Sequence, residues 1–204
     1  AKYPQGRQAS AVIALLWRGQ AQEGWVTHPM IETVARRLSM PFIRVLEVAT
    51  FYTMFNLEPV GTHLVQVCTT TPCWLAGSDQ LVEACKTHIR PEQHRISADG
   101  KFTWMEVECL GACVNAPMLQ IGKDFYEDMD GPLAEKLIEN LRAGRPVRPG
   151  PQKGRHSSEP AGGPTTLGDR SLYDGSVIDR QRRREGADAS DRNAPQQKPP
   201  GAAT

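Results

Sequence analysis

The chain contains no Gly-x-Gly-x-x-Gly fingerprint and no phosphate-binding loop ending in Gly-Lys-Ser/Thr, so it offers no visible seat for a dinucleotide or a flavin. It has no Cys-x2-Cys either, which excludes a thioredoxin-type dithiol. No apolar run approaches the roughly 20 residues of a membrane-spanning helix, and Ala1-Lys2-Tyr3-Pro4 lacks the apolar stretch of a secretory signal. These absences predict a soluble chain without a direct membrane span, in a reducing compartment. A start at Ala rather than Met is compatible with a removed leader or a truncated start. The net charge is only +1, but it is unevenly spread. Residues 1–144 carry 13 Lys and Arg against 16 Asp and Glu, whereas residues 145–204 carry 11 against 7. An acidic body with a basic tail lacks the basic, aromatic-rich face of a nucleic-acid-binding domain and predicts protein partners instead.

Cysteine is scarce but ordered. Four of the five cysteines form the pairs Cys68-x4-Cys73 and Cys109-x3-Cys113, with 35 residues between Cys73 and Cys109. Each pair begins where a hydrophobic run breaks into a short loop: Leu64-Val65-Gln66-Val67 runs into Cys68, and Phe102 to Glu108 runs into Cys109. Two loops at adjacent strand ends would present four thiolates to one inorganic core.

Three zones surround this pattern, and together they predict an α+β chain. Residues 1–58 read as a helical bundle. Ala9, Val12, Ile13 and Leu16 repeat at helical spacing, Ile31, Val34, Ala35 and Leu38 repeat after Thr27-His28-Pro29, and a third apolar segment runs from Val45 to Phe51, Tyr52 and Phe55. Residues 59–144 read as an α/β domain with a small sheet: a strand at 62–67, a helix at about 74–89, a strand at 101–107, a hairpin turning at Gly122-Lys123, and a last amphipathic helix opened by Gly131-Pro132. Residues 145–204 hold 8 Pro and 8 Gly and no Cys, Trp or Phe, the composition of an irregular extension. Within it Leu167, Leu172, Tyr173, Val177 and Ile178 predict a segment, 167–178, that docks on a partner.

Four thiolates complete either a Zn(Cys)4 site or a [2Fe-2S] cluster. Chain context favours iron and sulfide, because structural zinc takes tight Cys-x2-Cys knuckles and replaces a core, whereas this domain has its own sheet and helices. Gly111 is expected to let the main chain approach without a side-chain clash, and backbone N–H groups to hydrogen-bond the sulfurs. A disulfide reading is disfavoured by the reducing compartment. Cys85 follows Leu81 and precedes Ile89 at four-residue steps, which predicts a buried core thiol. His63 and His88 are read as structural or exposed, Trp74 and Trp104 as packing residues, and Arg182-Arg183-Arg184 as a solvated run.

These segments resemble a known family. Val67-Cys68-Thr69-Thr70-Thr71-Pro72-Cys73-Trp74-Leu75-Ala76-Gly77, Glu108-Cys109-Leu110-Gly111-Ala112-Cys113, Ala116-Pro117 and the upstream Val48-Ala49-Thr50-Phe51-Tyr52 are similar to the thioredoxin-like [2Fe-2S] subunit of respiratory complex I, the NADH:quinone oxidoreductase. The resemblance runs from about Tyr3 to Ala143. It implies a thioredoxin-like domain in which Cys68, Cys73, Cys109 and Cys113 ligate a [2Fe-2S] cluster, one pair per iron. It further implies a larger flavoprotein partner that binds FMN, NADH and a [4Fe-4S] cluster, other peripheral-arm neighbours, and a place on the cytoplasmic side of a bacterial inner membrane or the matrix side of a mitochondrial one. Relatives also serve as diaphorase subunits of NAD-linked hydrogenases and formate dehydrogenases. A structural subunit braced by zinc is the competing reading from a different class.

Overall fold

Three short helices fill the first part of the chain, as their apolar spacing predicts. The structure is a computed structural model that describes residues 3–160, 162, 163, 165, 166, 168 and 169. Helix α1 (Val12–Glu23) follows a 3-10 turn over Gln8–Ala11 and stops at Gly24, whose φ of 85° is a left-handed cap that favours glycine. Helix α2 (His28–Leu38) begins at the expected signal: the Thr27 side chain accepts from the Met30 N–H at 3.2 Å, and Pro29 sits in the first turn. Helix α3 (Phe42–Phe51) completes the bundle. Leu16, Ile31, Val34, Val45, Ala49 and Phe55 form its buried core. Phe51 and Tyr52, part of the same apolar segment, are exposed, because α3 buries only the stripe through Val45 and Ala49.

The second part is a five-stranded sheet in the order β2-β1-β3-β4-β5. Strand β1 (His63–Cys68) pairs in parallel with β2 (Phe102–Val107), from His63 opposite Phe102 to Cys68 opposite Val107. On its other side β1 pairs antiparallel with β3 (Leu119–Ile121), which turns at Gly122-Lys123 into β4 (Asp124–Glu127) as an antiparallel hairpin. Helices α5 (Asp79–His88) and α6 (Gly131–Arg142) supply the second layer. Val65, Val67, Phe102, Trp104 and Leu119 bury against Leu81, Cys85, Leu137 and Ile138. Each fully buried aliphatic or phenyl side chain of this set contributes about 1.5–3 kcal/mol relative to exposure. Trp104 is fully buried and satisfies its indole N–H by donating to the Arg90 carbonyl at 2.7 Å. Helix α6 starts as Gly131-Pro132 predicts, with the Asp130 carboxylate accepting from the Leu133 N–H at 3.0 Å.

Two features depart from the sequence reading. The single helix expected over 74–89 is two: α4 (Thr71–Leu75) ends at Ala76, Gly77 takes a φ of 98°, and α5 restarts at Asp79. Apolar periodicity runs through this break because Cys73, Leu81 and Cys85 are all buried, so only the Gly marks it. The second difference is a two-residue strand, β5 (Gly150–Pro151), parallel to β4, with Val147 packed on the sheet core. Pairing with an open strand edge uses main-chain groups, so a Pro- and Gly-rich composition hides it. Residues up to Gly154 form one compact unit. In the unit from Arg155 onward, the Glu159 carboxylate accepts from the His156 N–H at 2.7 Å. Leu167, Leu172, Tyr173, Val177, Ile178 and Arg182-Arg183-Arg184 lie outside the described residues. Among the described residues no helix is long and apolar enough to cross a membrane.

Candidate metal centre

Because β1 and β2 run parallel, both finish at the same edge of the sheet. Cys68 is the last residue of β1, and its partner Val107 stands two residues before Cys109. Strand alternation turns Val65 and Val67 toward the helices and Cys68 to the opposite face, where it packs with Cys73, Met118, Leu110 and Phe125. Cys73 is carried in α4, whose Trp74 N–H donates to the Thr70 carbonyl at 2.9 Å. The second loop is tied down from behind: the Asp128 N–H donates to the Asn115 carbonyl at 2.8 Å and the Met129 N–H to the Pro117 carbonyl at 2.9 Å. All four predicted cysteines therefore meet at one sheet edge, while Cys85 is buried in the core between sheet and helices.

The two pairs differ in exposure. Cys68 and Cys73 are buried, at 2% and 1%, whereas Cys109 and Cys113 are exposed with their sulfurs 3.4 Å apart. Donors converge on the sulfurs from both loops. The Leu110 N–H, from the second loop, and the Thr70 N–H reach Cys68, and the Met118 N–H reaches Cys73. The Gly111 N–H donates to Cys109 at 3.4 Å. The Thr70 hydroxyl lies 3.4 Å from Cys68 Sγ.

These contacts split each pair electrostatically. Burial opposes ionisation of Cys68, but hydrogen bonds from the Thr70 hydroxyl, the Leu110 N–H and Cys73 outweigh it and hold the thiol below its ordinary value. Burial, together with the neighbouring Cys68, pushes Cys73 up to about 12. Cys109 is lowered, chiefly by the Gly111 N–H, and Cys113 is raised, chiefly by its hydrogen bond with Cys109. A charge on Cys68 raises each of the other three thiols.

The donor set discriminates between the two metals. A tetrahedral Zn(Cys)4 site brings all sulfurs to about 3.8 Å from one another, the edge set by a Zn–S bond of about 2.3 Å. Among the described residues no three cysteine sulfurs lie within 4.8 Å of one another. Four thiols not drawn together around one point fit a two-iron core better than a single ion.

Several residues play parts the sequence reading did not give them. Gly111 has a φ of 82° and open space around a would-be Cβ, so what requires glycine is backbone conformation rather than close approach. Trp74, read as packing, is 56% exposed: α4 buries Cys73 and turns the next residue outward. With Leu75 and Val114, also exposed, it gives the two cysteine segments apolar surface, as Trp104 alone of the two tryptophans fills the core. The main-chain donors Leu110 and Met118 carry no side-chain signature, and nothing in the sequence marks them. His63 stacks on Phe102 at 5.2 Å, and its pKa is lowered by burial and by Lys101. His88 meets Glu135 at 3.4 Å, an ion-pairing contact between α5 and α6, with Glu139 nearby.

Residues 1–142 match the family described as thioredoxin-like [2Fe-2S] ferredoxin. The chain belongs to that family. This thioredoxin-like ferredoxin is 54% identical over 169 residues to an E-type NADH-quinone oxidoreductase subunit of Rhizobium meliloti (strain 1021), a match covering 81% of this chain and 62% of that one. The chain thus spans about three fifths of that relative's length. It is 51% identical over 142 residues to the E-type NADH-quinone oxidoreductase subunit of Rickettsia bellii (strain RML369-C), covering 69% of this chain and 85% of the other. Among solved structures, the NAD+-reducing [NiFe]-hydrogenase in its H2-reduced state has a similar fold, with a TM-score of 0.59 and 18% identity over 67% of this chain and 23% of that one. Because the Rhizobium match covers 81% of this ferredoxin, it runs past residue 142 into the extension.

Proposed function

We propose that this chain is the [2Fe-2S] electron-transfer subunit of the NADH-oxidising module of a membrane-associated NADH:quinone oxidoreductase. The observation that carries this reading is the arrangement of four thiols as a buried and an exposed pair at the ends of two adjacent parallel strands. Cys68 and Cys73 would hold one iron, and Cys109 and Cys113 the other. A [2Fe-2S] cluster so held would supply one-electron redox chemistry, adding one negative charge to a site already formally at −2 with four thiolates. The chain's part is to make that added charge tolerable. The N–H groups of Thr70, Leu110, Gly111 and Met118 aim positive dipole ends at the sulfurs. Exposed Glu106 and Glu108 oppose the gain in charge, and Glu106 is turned aside by a hydrogen bond from the Gln93 side chain at 2.8 Å.

NADH and FMN are held by a larger flavoprotein partner, which donates the electron. Support for a partner on this side comes from Trp74, Leu75 and Val114, large apolar side chains left exposed on the segments that carry the cysteines. A subunit seated there would also exclude water from the Cys109 and Cys113 sulfurs. In functional terms residues 1–58 form the docking bundle, 59–144 the cluster domain, and 145–204 an extension toward other peripheral-arm subunits. The subunit then lies on the NADH side of the membrane, cytoplasmic in a bacterium or matrix in a mitochondrion. Iron and acid-labile sulfide analysis with low-temperature EPR of the dithionite-reduced protein tests the reading. About two irons and two sulfides per chain with a spin-half signal are expected, and iron-free protein that still binds its partner would point to a structural subunit. Co-purification with a hydrogenase or formate dehydrogenase large subunit, in place of quinone-reducing partners, would assign a different complex.

A further inference from the structure

Thr70 stands at the N-cap of α4, with φ −69° and ψ 165°. At that position a threonine side chain ordinarily accepts a hydrogen bond from an N–H of the first turn. Thr27 does so for α2 and Asp130 for α6. Thr70 makes no such bond. Its hydroxyl instead turns to the cysteine that ends β1, 3.4 Å from Cys68 Sγ. Cys68 ends β1, so the hydroxyl sits where the central strand delivers its thiol.

We propose that the Thr70 hydroxyl is a positioning residue that donates to the Cys68 sulfur and thereby sets how readily the centre accepts an electron. The proposal rests on the reading that the four cysteines hold a [2Fe-2S] cluster. A hydrogen bond to sulfur favours the more negative state, because the donor's positive end interacts more strongly with the sulfur as charge is added. Among the described residues, the other donors to Cys68, Cys73 and Cys109 from outside the cysteines are main-chain N–H groups, which substitution at residue 70 leaves in place. Thr70 is the side chain through which the potential is adjusted.

Thr70→Val removes the hydroxyl, keeps the shape, and suits the extended backbone at this position. Thr70→Ser restores the hydroxyl without the methyl group. The full-length chain carrying its cluster is titrated potentiometrically with dithionite and followed by low-temperature EPR, with iron and sulfide counted for each variant. Thr70→Val is expected to lower the equilibrium constant for one-electron reduction about tenfold, a midpoint more negative by about 59 mV for a one-electron couple. Thr70→Ser is expected to titrate close to the parent. If Thr70→Val titrates with the parent at equal iron and sulfide content, the proposal is overturned. If valine prevents loading, Thr70→Ala is compared with Thr70→Ser, and coincident midpoints overturn it in the same way. Absence of iron and sulfide from the parent chain would instead overturn the four-cysteine reading itself.

Discussion

Replacing the cysteines one at a time separates ligands from packing thiols, because the two roles fail in different measurements. Cys85 is fully buried against the sheet, and burial pushes its thiol up to about 12, so it is neutral at physiological pH. Cys85→Ala deletes one sulfur atom from this core. The lost transfer energy is about 1 kcal/mol, and a residual cavity of roughly 25 Å³ at about 24 cal/mol per Å³ adds about 0.6 kcal/mol, giving a loss near 1.5 kcal/mol. Iron and sulfide content should not change. Cys109 is exposed and packs in no core, so Cys109→Ser should cost little polypeptide packing. It removes one of the two thiolates of its pair, and iron should fall well below the parent value. Denaturation midpoints by urea and iron-to-sulfide ratios on the same preparations give both readouts. Equal loss of iron in the two variants, or full iron in Cys109→Ser, would falsify the ligand assignment.

Three further outcomes follow from particular contacts. A Cβ at Gly61 would fall 2.6 Å from the Phe102 backbone, so Gly61→Ala should destabilise the sheet by about 1–3 kcal/mol; an unchanged urea midpoint would show that the linker into β1 yields without cost. Asp99 is lowered from 3.8 to about 2 by the Ser97 hydroxyl, the Lys101 N–H and then Arg142, whose Nε donates to it at 2.9 Å. Its folded pKa lies below the unfolded value, so its stabilisation is complete above about pH 4 and is lost as pH falls through about 2. Asp99→Asn should therefore lower the thermal midpoint at pH 7 modestly, given its solvent exposure, and the difference should close below pH 2; a constant difference across that range would contradict the assignment. Leu75 is 74% exposed, so Leu75→Asp should leave folding intact while weakening association with the flavoprotein partner at least tenfold, read by co-purification and titration calorimetry; unchanged affinity would remove Leu75 from the interface.

The sheet and its cysteine loops were legible because side chains announce them. Val65 and Val67 alternate with half-buried neighbours, Phe102 and Trp104 belong to a stretch buried through Thr103 as well, and each run stops at a loop bearing cysteines. Thr27-His28-Pro29 and Gly131-Pro132 announce helix starts, and both helices begin there, the second with Asp130 as a cap that the sequence reading did not name. What stayed hidden depends on the main chain or on direction. The break at Gly77 sits inside an unbroken apolar period, and β5 is a backbone pairing. Leu110 and Met118 serve the sulfurs through N–H groups that any residue but proline would provide. Phe51, Tyr52 and Trp74 are apolar by identity and exposed by geometry, a distinction composition cannot make.

The unequal exposure of the two thiol pairs is itself a product of strand order. Strand β1 is flanked on both sides, by β2 and β3, so the thiol at its end is covered by Met118 at the entry to β3 and by α4, which brings Cys73 beneath the same cover. Strand β2 is the edge of the sheet, and the loop that leaves it has no strand beyond it to bury Cys109 and Cys113. In the proposed assignment this topology would put one iron inside the protein and the other toward a partner. The exposed Trp74, Leu75 and Val114 then supply the apolar surface that such a partner would desolvate. A two-iron centre built on a central strand and its edge neighbour has an inside and an outside, and this asymmetry gives the centre a direction before any partner is bound.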